Sequence, residues 1–218
     1  MQISLIALAA TFAGVFLGAE TIRFDATPPG AFPGGWTVVN RHSAAAKWEI
    51  RRDPSAPSRP NVLAQVSSDH ANDRFPIAIL DKANYRDGEV SVKFKTVAGK
   101  SEQVAGLLWR YQDPDNYYLV RANSLENNIA MYKIQDGRWI PVAPRGRPAE
   151  AHNVRHKVSQ RTWNILRVTF KKARFEVYFD HRKVFEAEDS TFGQAGKVGL
   201  WTKSDSVTYF DDFQFSGK

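Results

Sequence analysis

The sequence predicts an all-β fold, a sandwich or barrel of short antiparallel strands. Three observations carry this: strict two-residue alternation in several segments, turn chemistry between them, and no helical period sustained over three turns. Gly88–Val97 places Val90, Val92, Phe94 and Thr96 on one face and Ser91, Lys93 and Lys95 on the other. That is the pattern of a strand with one side in a core. Arg174–Phe179 alternates in the same way. Further β-rich runs lie at Trp48–Arg51, Val62–Val66, Ile77–Leu80, Val104–Tyr111, Tyr117–Ala122 and Ile129–Ile134. The series continues at Trp163–Phe170, Val184–Ala187, Val198–Thr202 and Val207–Phe215. Asp87-Gly88, Asp113-Pro114-Asp115-Asn116, Asp136-Gly137 and Lys171-Lys172-Ala173 supply the turns. Asp53–Pro60 reads as a surface loop and Arg145–Arg161 as a second irregular stretch. No internal repeat argues for a propeller or solenoid.

The chain has 218 residues, 43% apolar, with 30 Lys and Arg against 23 Asp and Glu and a formal charge of +7. This suits one domain with a full core. The absence of cysteine excludes disulfides, thiolate metal sites, a cysteine nucleophile and a lipid-attachment cysteine. Met1–Ala19 carries no charged side chain and is apolar from Ile3 to Leu17. It is short for a membrane span and predicts a secretory signal cleaved near Ala19, hence a periplasmic or extracellular protein with no stable membrane insertion after cleavage. An uncleaved anchor and a misassigned start are the alternatives. Residues 20–218 are then expected to form a single domain.

Two blocks, Gly106–Arg121 (GLLWRYQDPDNYYLVR) and Val198–Phe213 (VGLWTKSDSVTYFDDF), resemble bacterial exported domains of the concanavalin A-like, or laminin G-like, jelly-roll superfamily. Within it the likeness is greatest to domains of the 3-keto-disaccharide hydrolase type. Trp36–Val39, Trp163–Val168 and Phe192 fit the same spacing. The resemblance implies a two-sheet antiparallel jelly-roll β-sandwich of the lectin and glucanase type. It says little about activity, because this superfamily hosts lectins, glycosidases and adhesion modules.

A hairpin closed at Gln112–Asp115 pairs Arg110 with Tyr117 and divides the central strands into two faces. Ala105, Leu107, Trp109, Tyr111, Tyr118 and Val120 form the expected core side. Arg110, Tyr117, Arg121 and Asn123 share the other, joined through the next hairpins by Tyr132 and Trp139. Arginine and amide groups beside aromatic rings suit a carbohydrate, whose C–H faces stack on rings while its hydroxyls take hydrogen bonds. Gly106, opposite Arg121, is expected to leave space for the ligand. The competing reading is that this face packs against loops, and a one-residue slip in register would exchange the two faces.

Catalytic chemistry is mostly absent. Glu186 and Glu188 share a strand face but lack the Glu-x-Asp-x-x-Glu pattern of glucanases on this fold, and read as a salt-bridged surface. His152 and His156, beside Arg155 and Lys157, read as a solvated loop rather than a metal site. Asp113–Asn116 reads as a turn before a calcium site. The superfamily implies a possible structural calcium tying the chain ends, with Asp25, Asp211 and Asp212 as ligands. Triad, nucleotide and zinc-protease motifs are missing, so no catalytic residue is nominated. Arg145, Arg147, Arg155, Lys157 and Arg161 against one acid, Glu150, form the most basic segment. It is either solvated or meets an anionic partner; nucleic acid is not expected. The expected function is non-catalytic binding of a glycan or cell-surface polysaccharide. Hydrolysis or lysis of 3-keto-disaccharides and an envelope scaffold are the alternatives.

Overall fold

The computed structural model describes residues 18–39, 46–71 and 74–218; the expected signal segment lies outside them up to residue 17. In chain order the strands are β1 (Glu20–Ile22), β2 (Trp36–Val39), β3 (Trp48–Arg52), β4 (Asn61–Gln65), β5 (Ile77–Tyr85) and β6 (Gly88–Ala98). They continue with β7 (Val104–Asp113), β8 (Asn116–Asn123), β9 (Asn128–Gln135), β10 (Arg138–Pro141) and β11 (Asn153–Arg155). The chain closes with β12 (Asn164–Lys171), β13 (Arg174–Phe179), β14 (Arg182–Glu188), β15 (Gly196–Trp201) and β16 (Val207–Gly217). Among the described residues one 3-10 turn, Ala149–His152, interrupts them.

Two eight-stranded antiparallel sheets form the sandwich. The first runs β14-β13-β12-β6-β16-β4-β3 with β1 paired to β16; the second runs β10-β9-β8-β7-β15-β5-β2 with β11 paired to β9. Hairpin pairs at the sheet edges, such as β13-β14 and β8-β9, flank central strands that meet across long connections, β6 with β16 and β7 with β15, as the jelly-roll resemblance implies. Between the sheets lies one apolar cluster containing Val90, Val92, Phe94, Leu107, Trp109, Tyr118, Val120, Leu166, Phe175 and Phe210. The alternation predicted for β6 is therefore realised: its Val and Phe residues enter this core while Lys93 and Lys95 face out.

The outer face of the second sheet is apolar as well. Ile77, Ile79, Val104, Leu108, Tyr117, Leu119, Ile134 and Trp201 form a second buried cluster. Phe75, at the end of the segment leading into β5, stacks over Trp201 at 6.0 Å and meets Trp139 at 4.8 Å. Gly106 sits beneath this layer. A Cβ there would come within 2.9 Å of Trp201 and of Leu119, so the missing side chain makes room for the Trp201 indole and not for a ligand.

The predicted register holds from Val104↔Asn123 through Trp109↔Tyr118 and then shifts, with Asp113 opposite Asn116. The shift is a bulge centred on Arg110, whose φ is +48°, a left-handed conformation that L-residues adopt rarely. The bulge turns Arg110 inward and Tyr111 outward, where its ring lies 5.7 Å from Tyr117. The expected faces of these two residues are thereby exchanged. Gly196 on β15 permits it: a Cβ there would meet the Arg110 backbone at 2.5 Å.

Candidate functional site

Of the six residues expected to form a platform, three are absorbed by the fold. Arg110 is 1% exposed. Its Nε donates to the Arg86 carbonyl at 2.8 Å, Nη1 to Phe192 at 2.7 Å and Nη2 to Lys172 at 2.6 Å. The guanidinium lies over Phe170 and Phe175, and burial pulls its pKa below the usual arginine value. Arg110 thus clamps three turns at one end of the sandwich. Tyr117 is buried in the outer cluster. Asn123 caps the β8–β9 turn: its Oδ1 accepts from the Leu125 and Glu126 N–H groups and its Nδ2 donates to Glu102.

The other three meet at the β8–β9–β10 edge. Arg121 Nη1 donates to Asn128 Oδ1 at 2.9 Å, and Nη2 reaches Glu126 at 3.2 Å, Asn153 Oδ1 at 3.4 Å and the Tyr132 hydroxyl at 3.5 Å. Its guanidinium stands 5.8 Å from the Tyr132 ring centre. Trp139 meets Tyr132 edge to face at 5.2 Å, and its indole N–H is buried without a hydrogen-bond partner. Register explains the meeting: Tyr132 faces Leu119, Arg121 faces Ala130, and Trp139 faces Ile134.

Sequence reasoning set aside His152, which belongs to this group. Its ring packs edge-on to Tyr132 at 5.2 Å. Nδ1 lies 3.0 Å from the Ala149 carbonyl and Nε2 lies 3.2 Å from the Tyr132 hydroxyl. A carbonyl can only accept, so Nδ1 carries the proton; in the neutral imidazole Nε2 is left to accept from Tyr132. His156 points elsewhere, its ring 4.8 Å from Phe179, so the two histidines do not converge. The signal for Asn153 and His152 was weak because β11 has three residues and follows a Pro- and Gly-broken stretch.

Beside Arg121 opens a cavity of about 380 Å³ lined by Glu126, Asn127, Asn128, Asn153 and Arg155. A larger trough of about 730 Å³ crosses the outer face of the first sheet, but its acids are already paired. Glu89 meets Arg167 at 3.1 Å, Glu188 meets Arg174 at 3.0 Å, and Glu176 and Glu186 share Lys183. Glu186 and Glu188 are therefore the salt-bridged surface expected from the sequence. Asp113 likewise caps its own turn, accepting from the Asp115 N–H and the Asn116 side chain.

The three aspartates considered for calcium lie in one corner with separate partners. Asp211 is buried and accepts from the Ser58 N–H and hydroxyl and from the Asp212 N–H; burial raises its carboxyl above the ordinary range despite these bonds. Asp25 accepts from the Asn61 N–H. Asp212 pairs with Arg23 and Lys93. Two cationic side chains on one of the expected ligands do not fit a cation, and among the described residues no three acids or histidines converge.

Solved structures of known proteins share this fold. The carbohydrate-binding module CBM66 from Bacillus subtilis matches with TM-score 0.62 and 21% identity, over 84% of this chain and 96% of that one. Cellulose induced protein Cip1 matches with TM-score 0.67 and 9% identity, over 91% and 97%. Domain 4 of the arabinanase AbnA from Geobacillus stearothermophilus, solved with arabinotriose, matches with TM-score 0.51 and 11% identity, over 84% and 82%. Among curated protein sequences none matches. The profile described as "3-keto-alpha-glucoside-1,2-lyase-like domain" matches residues 29–216, and the chain belongs to that family.

Proposed function

We propose that the protein is an exported, non-catalytic carbohydrate-binding domain whose glycan docks on Arg121, Tyr132 and Trp139. The observation that carries this is the Arg121–Tyr132–Asn128–Asn153 cluster bordering an open cavity. Amide and guanidinium donors suit ring hydroxyls, and the aromatic edge of Tyr132 and Trp139 suits a sugar C–H face. The carbohydrate-binding module and the arabinotriose-bound domain on the same fold support the choice of ligand class. Export rests on the apolar Met1–Ala19 segment, and among the described residues no helix is long and apolar enough to cross a membrane. A shallow site of this kind implies dissociation constants of ~mM to µM, or about 4–8 kcal/mol. A glycan array probed with residues 20–218 should give a discrete set of hits, lost in an Arg121→Ala variant whose circular dichroism shows it folded. Folded protein without hits would move the weight to a protein-binding envelope role.

One observation favours a second reading, elimination on a 3-keto-glucoside, which the family description names. Ala149, His152, Tyr132 and Arg121 form a continuous hydrogen-bonded chain. In that reaction a base removes the proton at C2, acidified by the C3 carbonyl. The C–H electrons form a C1–C2 double bond, the C1–O bond breaks, and the released alkoxide takes a proton. His152 would hold the proton exchanged through Tyr132, and Arg121 would steady the enolate oxygen. Release of alcohol from a 3-keto-α-glucoside, abolished in Tyr132→Phe, would make the domain an enzyme; bound but unchanged sugar would leave it a binding module.

A further inference from the structure

We infer that the glycan taken by this site is acidic, a carboxylate-bearing polysaccharide of the uronate class, recognised by Arg155 and Lys157 alongside Arg121. This rests on the carbohydrate reading above and adds the charge of the ligand.

The segment that borders the cavity alternates. Asn153, Arg155 and Lys157 are exposed, whereas Val154 packs on the main core and His156 packs on Phe179. Two bonds pin it to the cavity wall: the His156 N–H donates to the Asn127 carbonyl at 2.9 Å, and the Val158 N–H donates to Asn127 Oδ1 at 3.1 Å. Lys157 lies between these two bonds, so its backbone is fixed beside Asn127. Arg155 lines the cavity itself.

The charges there do not cancel. Glu126 is the one acid among the lining residues, and it is held by Arg121 at 3.2 Å and by Asn128 Nδ2 at 3.0 Å. Among the described residues Arg155 and Lys157 take part in no ion pair. Arg147, in the same basic segment, is also without one, and Arg145 is drawn away to Glu188 at 3.7 Å. A planar guanidinium fork matches a carboxylate in two-point contact, and an ammonium adds a point charge. The asparagines between them offer carboxamides for ring hydroxyls. One rim therefore presents both chemistries that an acidic sugar requires.

The test is calorimetric, using residues 20–218 with a panel of uronate oligosaccharides and their carboxyl-reduced, neutral counterparts. At least one uronate should bind about tenfold or more tightly than its reduced form, and that preference should fall steeply from about 50 to about 500 mM salt. The double variant Arg155→Gln, Lys157→Gln carries both changes on exposed side chains. It should keep its melting temperature and lose the preference, so that acid and reduced forms bind alike. Equal binding of acid and reduced forms, or a preference that survives in the double variant, would overturn the inference while leaving the carbohydrate reading intact. Binding of anionic vesicles in place of any oligosaccharide would overturn both, as would failure of every glycan, charged or neutral.

Discussion

Arg110 and Arg121 occupy facing strands of one hairpin, and their fates are opposite. Arg110 enters the sandwich at the bulge, loses water almost completely and gives its donors to the carbonyls of Arg86, Phe192 and Lys172. Arg121 stays on the outer face, two strands in from the edge and with its side chain 11% exposed, and its partners are side chains of Glu126, Asn128, Tyr132 and Asn153. Backbone carbonyls of three separate turns cannot be rearranged without moving the fold. Side chains at an open rim can exchange partners when a ligand arrives. The chemistry of the guanidinium is the same; the setting decides whether it serves folding or binding.

The sharpest way to break this contrast is to remove each charge in turn. Arg110→Met should cost about 3–5 kcal/mol, because it strips several buried carbonyls of donors at a cost of about 1–3 kcal/mol each. Arg121→Met should cost less, about 1–2 kcal/mol, because the side-chain partners it leaves, Glu126 and Asn153 among them, can turn to water. Urea denaturation of the two variants measures both, and comparable losses would erase the distinction.

Acid exposes a second difference between the interior and the rim. Burial alone would raise the Asp189 carboxyl, but bonds from Lys133, Thr191 and Tyr118 hold it below its ordinary range. Asp205 is held down by the N–H groups of Ser101, Lys100 and Glu102, and Asp53 by Lys95 and Ser55, in each case against burial. A depressed folded-state pKa stabilises above the unfolded value and is lost as pH falls through the folded one. Stability should therefore be nearly flat from pH ~7 to ~5 and drop below ~4. Asp211 has the opposite sign, since protonation relieves the burial of its charge, and it softens the drop. Urea midpoints across this range should show a shallower acid limb in Asp189→Asn; an identical limb would remove Asp189 from the account.

The smallest expected effect concerns metal. With Asp212 engaged by Arg23 and Lys93, excess chelator should leave the melting temperature unchanged. A fall of several degrees would reinstate a bound cation in the chain-end corner.

The two sheets were legible because burial imposes alternation, and the alternation of β6 and β13 is uninterrupted in the sequence. The hairpin register was legible up to Trp109 for the same reason. Arg110 was not, because a bulge is set by what surrounds it: Gly196 on a distant strand makes the space and three remote carbonyls capture the side chain. Gly106 was misjudged in the same way, since Trp201 from β15 fills its space. Arg121, Tyr132 and Trp139 came together as expected, being placed by local hairpins. His152 did not, because its position depends on β11 returning to pair with β9 from an irregular stretch.

The most direct test of the central claim is a heteronuclear NMR titration with the strongest-binding glycan of the array, following indole and guanidinium N–H signals. The account predicts progressive shifts at Trp139 and at Arg121 Nε, with the core signals of Trp109 and Arg110 Nε unmoved. Shifts confined to residues of the opposite sheet, with Trp139 and Arg121 silent, would place the ligand elsewhere and contradict it.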